Sequence, residues 1–225
     1  MSNSKTFLFG GIALAAVAAV GLMLTQRAPE ATTSVAAALE SAVSTPAEAS
    51  TVELLPDYVM GEEAAPITLI EYASYTCPHC ATWHEEVFPA LKRDYIDAGK
   101  VKFIHREVYF DRFGLLAGQI AQCGGAPRYY AMSGLIYDTQ VEWIGDGKPE
   151  TILANLRKLG LKAGLSDAQI EACVKDDARR DAMVATYQAN ASKDEITATP
   201  SIVINGTKYS NMSYEELKKV LDGLL

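Results

Sequence analysis

Two cysteines separated by two residues, Cys77 and Cys80, have a spacing that can support redox chemistry. Thiols this close in sequence can form a small disulfide with little backbone movement, and that disulfide can accept and return an electron pair. Pro78 and His79 lie between them. The sequence therefore predicts a redox-active dithiol that needs no separate cofactor.

The position of this pair at a predicted helix start gives its two sulfurs different roles. Pro78 suits the first helical position, where a missing N–H has no consequence. Cys77 would then face unpaired N–H groups and the positive end of the helix dipole, which lower its pKa below the free value of about 8.5. A protonated His79 would add positive charge. We expect Cys77 to be the exposed, attacked sulfur and Cys80 its more covered resolving partner.

A predicted strand and a predicted helix flank the pair. The apolar run 67–74 predicts a buried strand, and residues 81–94 predict a helix that Pro89 should kink. A second strand is expected over 101–108. A C-x-x-C motif between a strand and a helix is typical of a thioredoxin-type redox site.

The sequence after the second strand predicts a block of helices followed by a hairpin. Apolar periodicity predicts helices over about 113–195, one of them starting with a capping box at Ser166. A strand over 201–204, an Asn205-Gly206 turn and a terminal helix from Ser213 follow. The fold class is therefore α/β, a thioredoxin-like sheet interrupted by an all-helical insertion.

The N-terminal 51 residues differ from this domain. Residues 7–24 are uncharged and largely apolar, which is long for a signal-peptide core and short for a membrane span. Residues 1–27 are therefore either a cleaved signal peptide or a retained membrane anchor, and both would export the rest. Residues 28–51 lack aromatic residues and predict a flexible linker, with the thioredoxin-like domain over 52–225.

Charge and cysteine count restrict the function further. The net charge of −8, without a basic cluster, argues against nucleic acid as a partner. An oxidising compartment permits structural disulfides, and Cys123 and Cys173 remain if Cys77 and Cys80 form the redox pair. Closing that loop would stabilise the fold by about 4 kcal/mol. Two separate buried thiols, or a second redox pair, are the alternatives.

Residues 71–80, Glu-Tyr-Ala-Ser-Tyr-Thr-Cys-Pro-His-Cys, are similar to the active-site region of bacterial DsbA-like thiol–disulfide oxidoreductases. The resemblance covers roughly residues 55–225 and includes the helical insertion and the segment 197–200 before a strand. Pro78-His79 is the family's characteristic dipeptide. The resemblance implies a periplasmic protein, anchored to the inner membrane if the N-terminal segment is retained.

The resemblance also implies roles for three further residues. Pro200 matches the family's cis-proline beside Cys77, and the backbone of Thr199 would pair with an extended substrate. Glu71 matches a buried acid that could accept the proton of Cys80. A trans-proline and a solvent-facing glutamate are the alternatives. Thr199 is polar where the most oxidising members carry an apolar residue, so the oxidising strength stays open.

The leading hypothesis is an enzyme that donates its disulfide to reduced or unfolded exported proteins. The resemblance implies reoxidation by a quinone-linked thiol oxidase in the membrane, and a monomer is expected. An isomerase or reductase on the same fold is the closest alternative. A non-redox chaperone or a metal-binding module is the other, with Cys77, Cys80 and His84 as zinc ligands. We expect instead that His84 lies on the helix surface or in a groove.

Overall fold

The computed structural model describes residues 52–225, so the predicted anchor or signal (1–27) and linker (28–51) lie outside the described residues. The strands are β1 (Val59–Met60), β2 (Ile67–Ala73), β3 (Val101–Glu107), β4 (Ser201–Ile204) and β5 (Thr207–Ser210). The helices are α1 (Pro78–Glu86), α2 (Phe88–Leu91), α3 (Arg112–Gln122), α4 (Ala126–Asp138), α5 (Gln140–Ile144), α6 (Pro149–Lys162), α7 (Asp167–Lys175), α8 (Asp177–Lys193) and α9 (Tyr214–Asp222), and a π-helical turn covers Lys92–Ile96. No helix within residues 52–225 has the length and apolarity to cross a bilayer.

The strands form one mixed sheet in the order β1-β3-β2-β4-β5. β2 runs parallel to β3 and antiparallel to β4, so β2 is central. The register places Glu71 of β2 beside His105 of β3. Since side chains alternate between the faces of a sheet, this register brings two polar side chains together inside the protein. The sequence analysis did not predict β1, a strand of two residues before β2.

The active-site helix is interrupted, as its proline predicts. α1 ends at Glu86, and α2 begins at Phe88 with Pro89 in its first turn. Proline lacks the N–H for an intrahelical bond and crowds the preceding turn, which explains the break. The predicted kink is confirmed, and α1 begins at Pro78, the residue predicted to occupy the first helical position.

Helices α3 to α8 form the insertion between β3 and β4, which confirms the predicted fold class. Apolar side chains of α3 to α7 share a core that extends to Cys80 and Tyr75 at the active site. A disulfide joins Cys123, at the end of α3, to Cys173 in α7, with 5.7 Å between their Cα atoms. The bond closes a loop of 50 residues, for which chain entropy stabilises the fold by about 4 kcal/mol.

The C-terminal hairpin forms where its turn residues predict. Asn205 and Gly206 both have positive φ, 47° and 85°, which a two-residue hairpin turn of the primed type requires. Asn205 also accepts a hydrogen bond from the backbone N–H of Thr68 at 2.9 Å, which ties the turn to β2. Ser213 and Glu216 form a capping box at the start of α9, the helix predicted to begin at Ser213.

Candidate active site

Cys77 and Cys80 lie at the start of α1 with different exposure. Cys77 is the N-cap residue, with extended backbone angles (φ −84°, ψ 117°), and Pro78 follows in the first turn. The thiol of Cys77 is half-buried, whereas Cys80 is fully buried. The helix therefore presents one sulfur to solvent and holds the other beneath it.

The pKa of Cys77 is lowered to about 5. The largest cause is a hydrogen bond from the Cys80 thiol, which outweighs the opposing effect of burial. The Thr199 side chain and the backbone N–H groups of Cys80 and His79 lower it further. The helix start thus contributes as predicted, but the neighbouring thiol contributes more. His79 contributes through its backbone N–H, and the effect of its ring charge stays a prediction.

The pKa of Cys80 is shifted in the opposite direction, upward. Its pKa is raised by the hydrogen bond to Cys77, by burial and by the negative charge of Glu71. At neutral pH the reduced site therefore holds a thiolate at Cys77 and a thiol at Cys80. This is the charge distribution that a nucleophile with a resolving partner requires.

The loop before β4 borders the exposed sulfur. The Thr199–Pro200 peptide is cis, and the Thr199 carbonyl oxygen lies 3.7 Å from Cys77 Sγ. Ser201 Oγ donates to the Ala198 carbonyl at 2.7 Å, which ties the loop to the start of β4. The structure therefore places Thr199 and Pro200 beside Cys77, where the resemblance implied they would lie.

Gln140 supports the loop that carries Cys77, and sequence reasoning missed it. This buried side chain of α5 donates from Nε2 to the carbonyl oxygens of Tyr75 at 2.8 Å and Cys77 at 3.0 Å. A short helix of the insertion thus holds the loop between β2 and α1. No local signal in the sequence marks this contact, because 63 positions separate Gln140 from Cys77.

Glu71 is fully buried and binds His84. His84 Nε2 lies 2.9 Å from Glu71 Oε2. The expectation that His84 would be a surface or groove residue is wrong, since only 8% of the residue is exposed. Residue 84 lies four positions after Cys80, so both share the face of α1 that packs on the sheet. The spacing could have indicated this placement.

A second polar cluster adjoins this pair. His105 bonds Tyr129 through Nδ1 at 2.7 Å and Tyr137 through Nε2 at 3.0 Å. Burial and the nearby His84 keep the pKa of His105 well below its usual value. The sequence analysis did not predict that His105 and Glu107 would form a buried polar cluster. The alternation that predicts β3 puts 105 and 107 on one face, so it could have identified them.

Glu107 is held by hydroxyl and amide donors from several elements. Tyr75, Tyr129 and Gln122 bond it at 3.2, 2.9 and 3.0 Å, and Tyr109 makes a shorter contact. Burial raises the pKa of Glu107, while these donors act in the opposite direction. A buried carboxylate is costly without such partners, so the cluster stabilises the charge that β3 places in the core.

The structure gives no support to a metal at the dithiol. Within residues 52–225, the ligand atoms that lie within 4.8 Å of one another belong to Glu71, His84 and His105, not to the proposed zinc set of Cys77, Cys80 and His84. Both ring nitrogens of His105 already bind tyrosine hydroxyls, and His84 Nε2 binds Glu71. These occupied donor atoms do not fit a metal centre.

A thioredoxin-type sheet with a dithiol at a helix start, bordered by a cis-proline, defines the class of this protein. A family model described as thioredoxin matches residues 53–223, and the chain belongs to that family. The match covers nearly the whole described domain, including the helical insertion.

The individual relatives are proteins of disulfide chemistry. A Rickettsia typhi protein, provisionally named a protein-disulfide oxidoreductase, is 30% identical over 170 residues, which is 75% of this chain and 62% of that protein. The chain thus spans about three fifths of the length of that relative. Disulfide bond formation protein D of Bacillus subtilis is 28% identical over 185 residues, covering 73% of this chain and 75% of that protein.

The fold is also similar to that of a solved DsbA structure. The crystal structure of Wolbachia pipientis alpha-DsbA1 has a TM-score of 0.69 and 28% identity, covering 77% of this chain and 93% of that chain. The DsbA-like resemblance predicted from residues 71–80 and the helical insertion is therefore confirmed at the level of family and fold.

Proposed function

We propose that this protein is a thiol–disulfide oxidoreductase that donates the Cys77–Cys80 disulfide to exported proteins. The observation that carries the proposal is the half-buried Cys77 sulfur, whose pKa is lowered to about 5 beside a buried Cys80 thiol. A sulfur that is stable as an anion is a good leaving group, so its disulfide is readily transferred.

The reaction balances in two exchanges. A substrate thiolate attacks Cys77, forms a mixed disulfide and displaces Cys80, which takes the electron pair and one proton. A second substrate thiolate then attacks the substrate sulfur of that mixed disulfide and displaces Cys77 as a thiolate. The substrate leaves with a disulfide, and the protein leaves with two reduced cysteines.

The low pKa sets the direction of transfer. One pKa unit is about 1.4 kcal/mol, or about 30 mV for this two-electron couple. A decrease of three to four units from the free value makes the disulfide about 100 mV more oxidising. Donation is therefore favoured over reduction or isomerisation, for which the protein would have to be kept reduced.

The surrounding residues support the same chemistry. In this proposal the Thr199 backbone binds an extended substrate next to Pro200. Glu71 gives a proton to Cys80 when the disulfide opens and receives it back when Cys80 attacks. The substrates are reduced or unfolded proteins in the periplasm, and a quinone-linked membrane oxidase restores the disulfide. The N-terminal residues would either tether the domain to the inner membrane or be removed.

The test is oxidation of reduced, unfolded ribonuclease A by the oxidised protein, followed by thiol quantification. We expect stoichiometric loss of ribonuclease thiols, and no loss with Cys77→Ser. The reduction potential should lie above about −180 mV, on the oxidising side of the isomerase value. A potential near that of thioredoxin, about −270 mV, would contradict disulfide donation.

A further inference from the structure

The buried position of Cys80 creates a requirement for proton transfer. When a substrate opens the disulfide, Cys80 leaves with an extra electron pair inside the core, where an unprotonated sulfur is costly. Cys80 and Glu71 both have 0% exposure. The acid assigned to protonate Cys80 therefore has no direct contact with solvent.

His84 connects this acid to the exterior. Its Nε2 is 2.9 Å from Glu71 Oε2, and its side chain is 6% exposed where that of Glu71 is 0% exposed. The imidazole ring stacks on Tyr137, with 4.0 Å between ring centroids and 13° between the planes. This stacking fixes the ring orientation, so that Nε2 stays aimed at the carboxylate.

The second oxygen of Glu71 is free to bind a proton. Within residues 52–225, Oε1 is buried and has no hydrogen-bond partner, while Oε2 binds His84. A buried carboxylate oxygen without a donor is unfavourable when charged, and protonation would relieve that cost. The pair therefore has one oxygen that contacts the imidazole and another that can carry a proton.

We propose that His84 relays protons between solvent and Glu71, so that a Glu71–His84 pair protonates and deprotonates Cys80. This inference rests on the proposed function. When the disulfide opens, the sulfur–sulfur bond breaks, Cys80 takes its electron pair, and Glu71 gives it one proton. His84 returns a proton to Glu71 and takes one from solvent. When Cys80 later attacks, the same path runs in reverse.

The other titratable groups around the pair do not compete for this role. His105 on β3 faces His84 at 5.8 Å between ring centroids, but its pKa is well below the usual value and both its nitrogens bind tyrosines. Tyr137 and Tyr130 on α4 have pKa values raised by burial and by Glu71. All three groups therefore stay neutral near pH 7, and His84 remains as the carrier.

The first test measures how fast Cys80 resolves a mixed disulfide. Glutathione is attached to Cys77, and its release is followed across pH in wild type, His84→Gln, Glu71→Gln and the double variant. We expect His84→Gln to slow release by at least about tenfold at pH 7, as loss of general acid–base catalysis should. The double variant should be no slower than Glu71→Gln, because the two residues act in one path.

His105→Gln is the matched control, since it removes a buried imidazole that binds tyrosines instead of Glu71. It should release glutathione within about twofold of wild type. The pKa of Cys77 should be the same in His84→Gln and wild type, because its causes lie in α1 and Thr199. An unchanged rate in His84→Gln, or additive losses in the double variant, would overturn the relay.

A second measurement needs no variant. In ¹⁵N-edited spectra of the wild-type protein, the ring N–H of His84 should exchange with solvent faster than the ring N–H of His105. Exchange at His84 that is no faster than at His105 would overturn the relay. Stoichiometric zinc in the purified protein that is lost in His84→Gln would also overturn it, in favour of a metal centre. Disulfide transfer by Cys77→Ser would instead contradict the proposed function itself.

Discussion

The carbonyl oxygen of Thr199 lies 3.7 Å from the sulfur of Cys77, although 122 positions separate the two residues. The contact joins the loop before β4 to the start of α1. Of the two active-site sulfurs, Cys77 is the partly exposed one, and Cys80 is buried. In the proposed function, a substrate strand bound along Thr199 would deliver its cysteine directly to Cys77. Thr199 precedes β4 and Cys77 follows β2, and these two strands are neighbours in the sheet.

Substitution of the two active-site cysteines should have different results. Cys77→Ser removes the attacked sulfur, so we expect no disulfide transfer to ribonuclease. Cys80→Ser leaves the attacked sulfur but removes its resolving partner, so mixed disulfides formed at Cys77 should persist. Mass spectrometry of each reduced variant after mixing with a disulfide-bonded peptide measures these mixed disulfides. Accumulation of adducts on Cys77→Ser would contradict the assignment.

The hydroxyl of Thr199 should stabilise the Cys77 thiolate. It is one of the groups that lower the pKa of Cys77, so Thr199→Val should raise that pKa by up to about one unit. Ultraviolet absorbance of the thiolate across pH measures the change. Thr199→Ser keeps the hydroxyl and is the control, expected to remain close to wild type. A pKa that falls in Thr199→Val would show that the hydroxyl acts in the opposite direction.

The stability of the reduced protein should increase with pH. The folded pKa of Cys77 is about 5, and the unfolded thiol titrates near about 8.5. Because folding lowers this pKa, the stabilisation is complete above about 8.5 and is lost as pH falls toward about 5. Since Cys77 is partly exposed, solvent screening reduces the effect of this pKa shift on stability. We expect the free energy of unfolding of the reduced protein to change by about 2 kcal/mol.

Urea unfolding at pH 5 and pH 8 measures this linkage. The oxidised protein is the reference, because its disulfide sulfurs do not titrate. Reduced Cys77→Ser is a second control and should lose the pH dependence that distinguishes the reduced from the oxidised protein. If both redox forms of the wild type showed the same pH dependence, the lowered pKa of Cys77 would not be the cause.

Removal of the Cys123–Cys173 disulfide should lower stability without changing the redox site. The double substitution to alanine opens a loop of 50 residues, which should cost about 4 kcal/mol. Denaturant unfolding of the oxidised proteins measures the cost. The pKa of Cys77 should be unchanged, because neither cysteine is among the groups that shift it. A changed pKa would indicate that the insertion couples to the active site through this bond.

Gln140 and Gln119 form a matched pair for testing the support of the active-site loop. Gln140 donates to the carbonyls of Tyr75 and Cys77, while Gln119 donates to those of Cys173 and Val174. Each glutamine has 6% exposure. Substitution by leucine at either position should lower the free energy of unfolding by about 2 kcal/mol, because two backbone carbonyls lose a hydrogen-bond donor.

Only Gln140→Leu should also slow the reaction of Cys77. We expect the rate of alkylation by iodoacetamide at pH 7 to fall at least about threefold in Gln140→Leu, since the loop before α1 loses its anchor. Gln119→Leu should react like wild type despite a similar loss of stability. Equal alkylation rates in the two variants would mean that Gln140 contributes to folding alone.

Local sequence was sufficient for the elements and for the dithiol. The spacing of Cys77 and Cys80, the proline between them and the apolar run before them predict a redox pair at a helix start. Turn chemistry at Asn205-Gly206 and the capping box at Ser213 predict the hairpin and the last helix. These features depend on interactions between residues a few positions apart, so their physics is contained in short segments.

Tertiary structure alone decided what surrounds the sulfurs. The parallel register of β2 and β3 sets Glu71 beside His105, and packing of α1 on the sheet turns His84 inward to Glu71. The Cys80 thiol, more than the helix start, lowers the pKa of Cys77. Burial and distance determine these effects, and both depend on contacts between segments that are far apart in the chain.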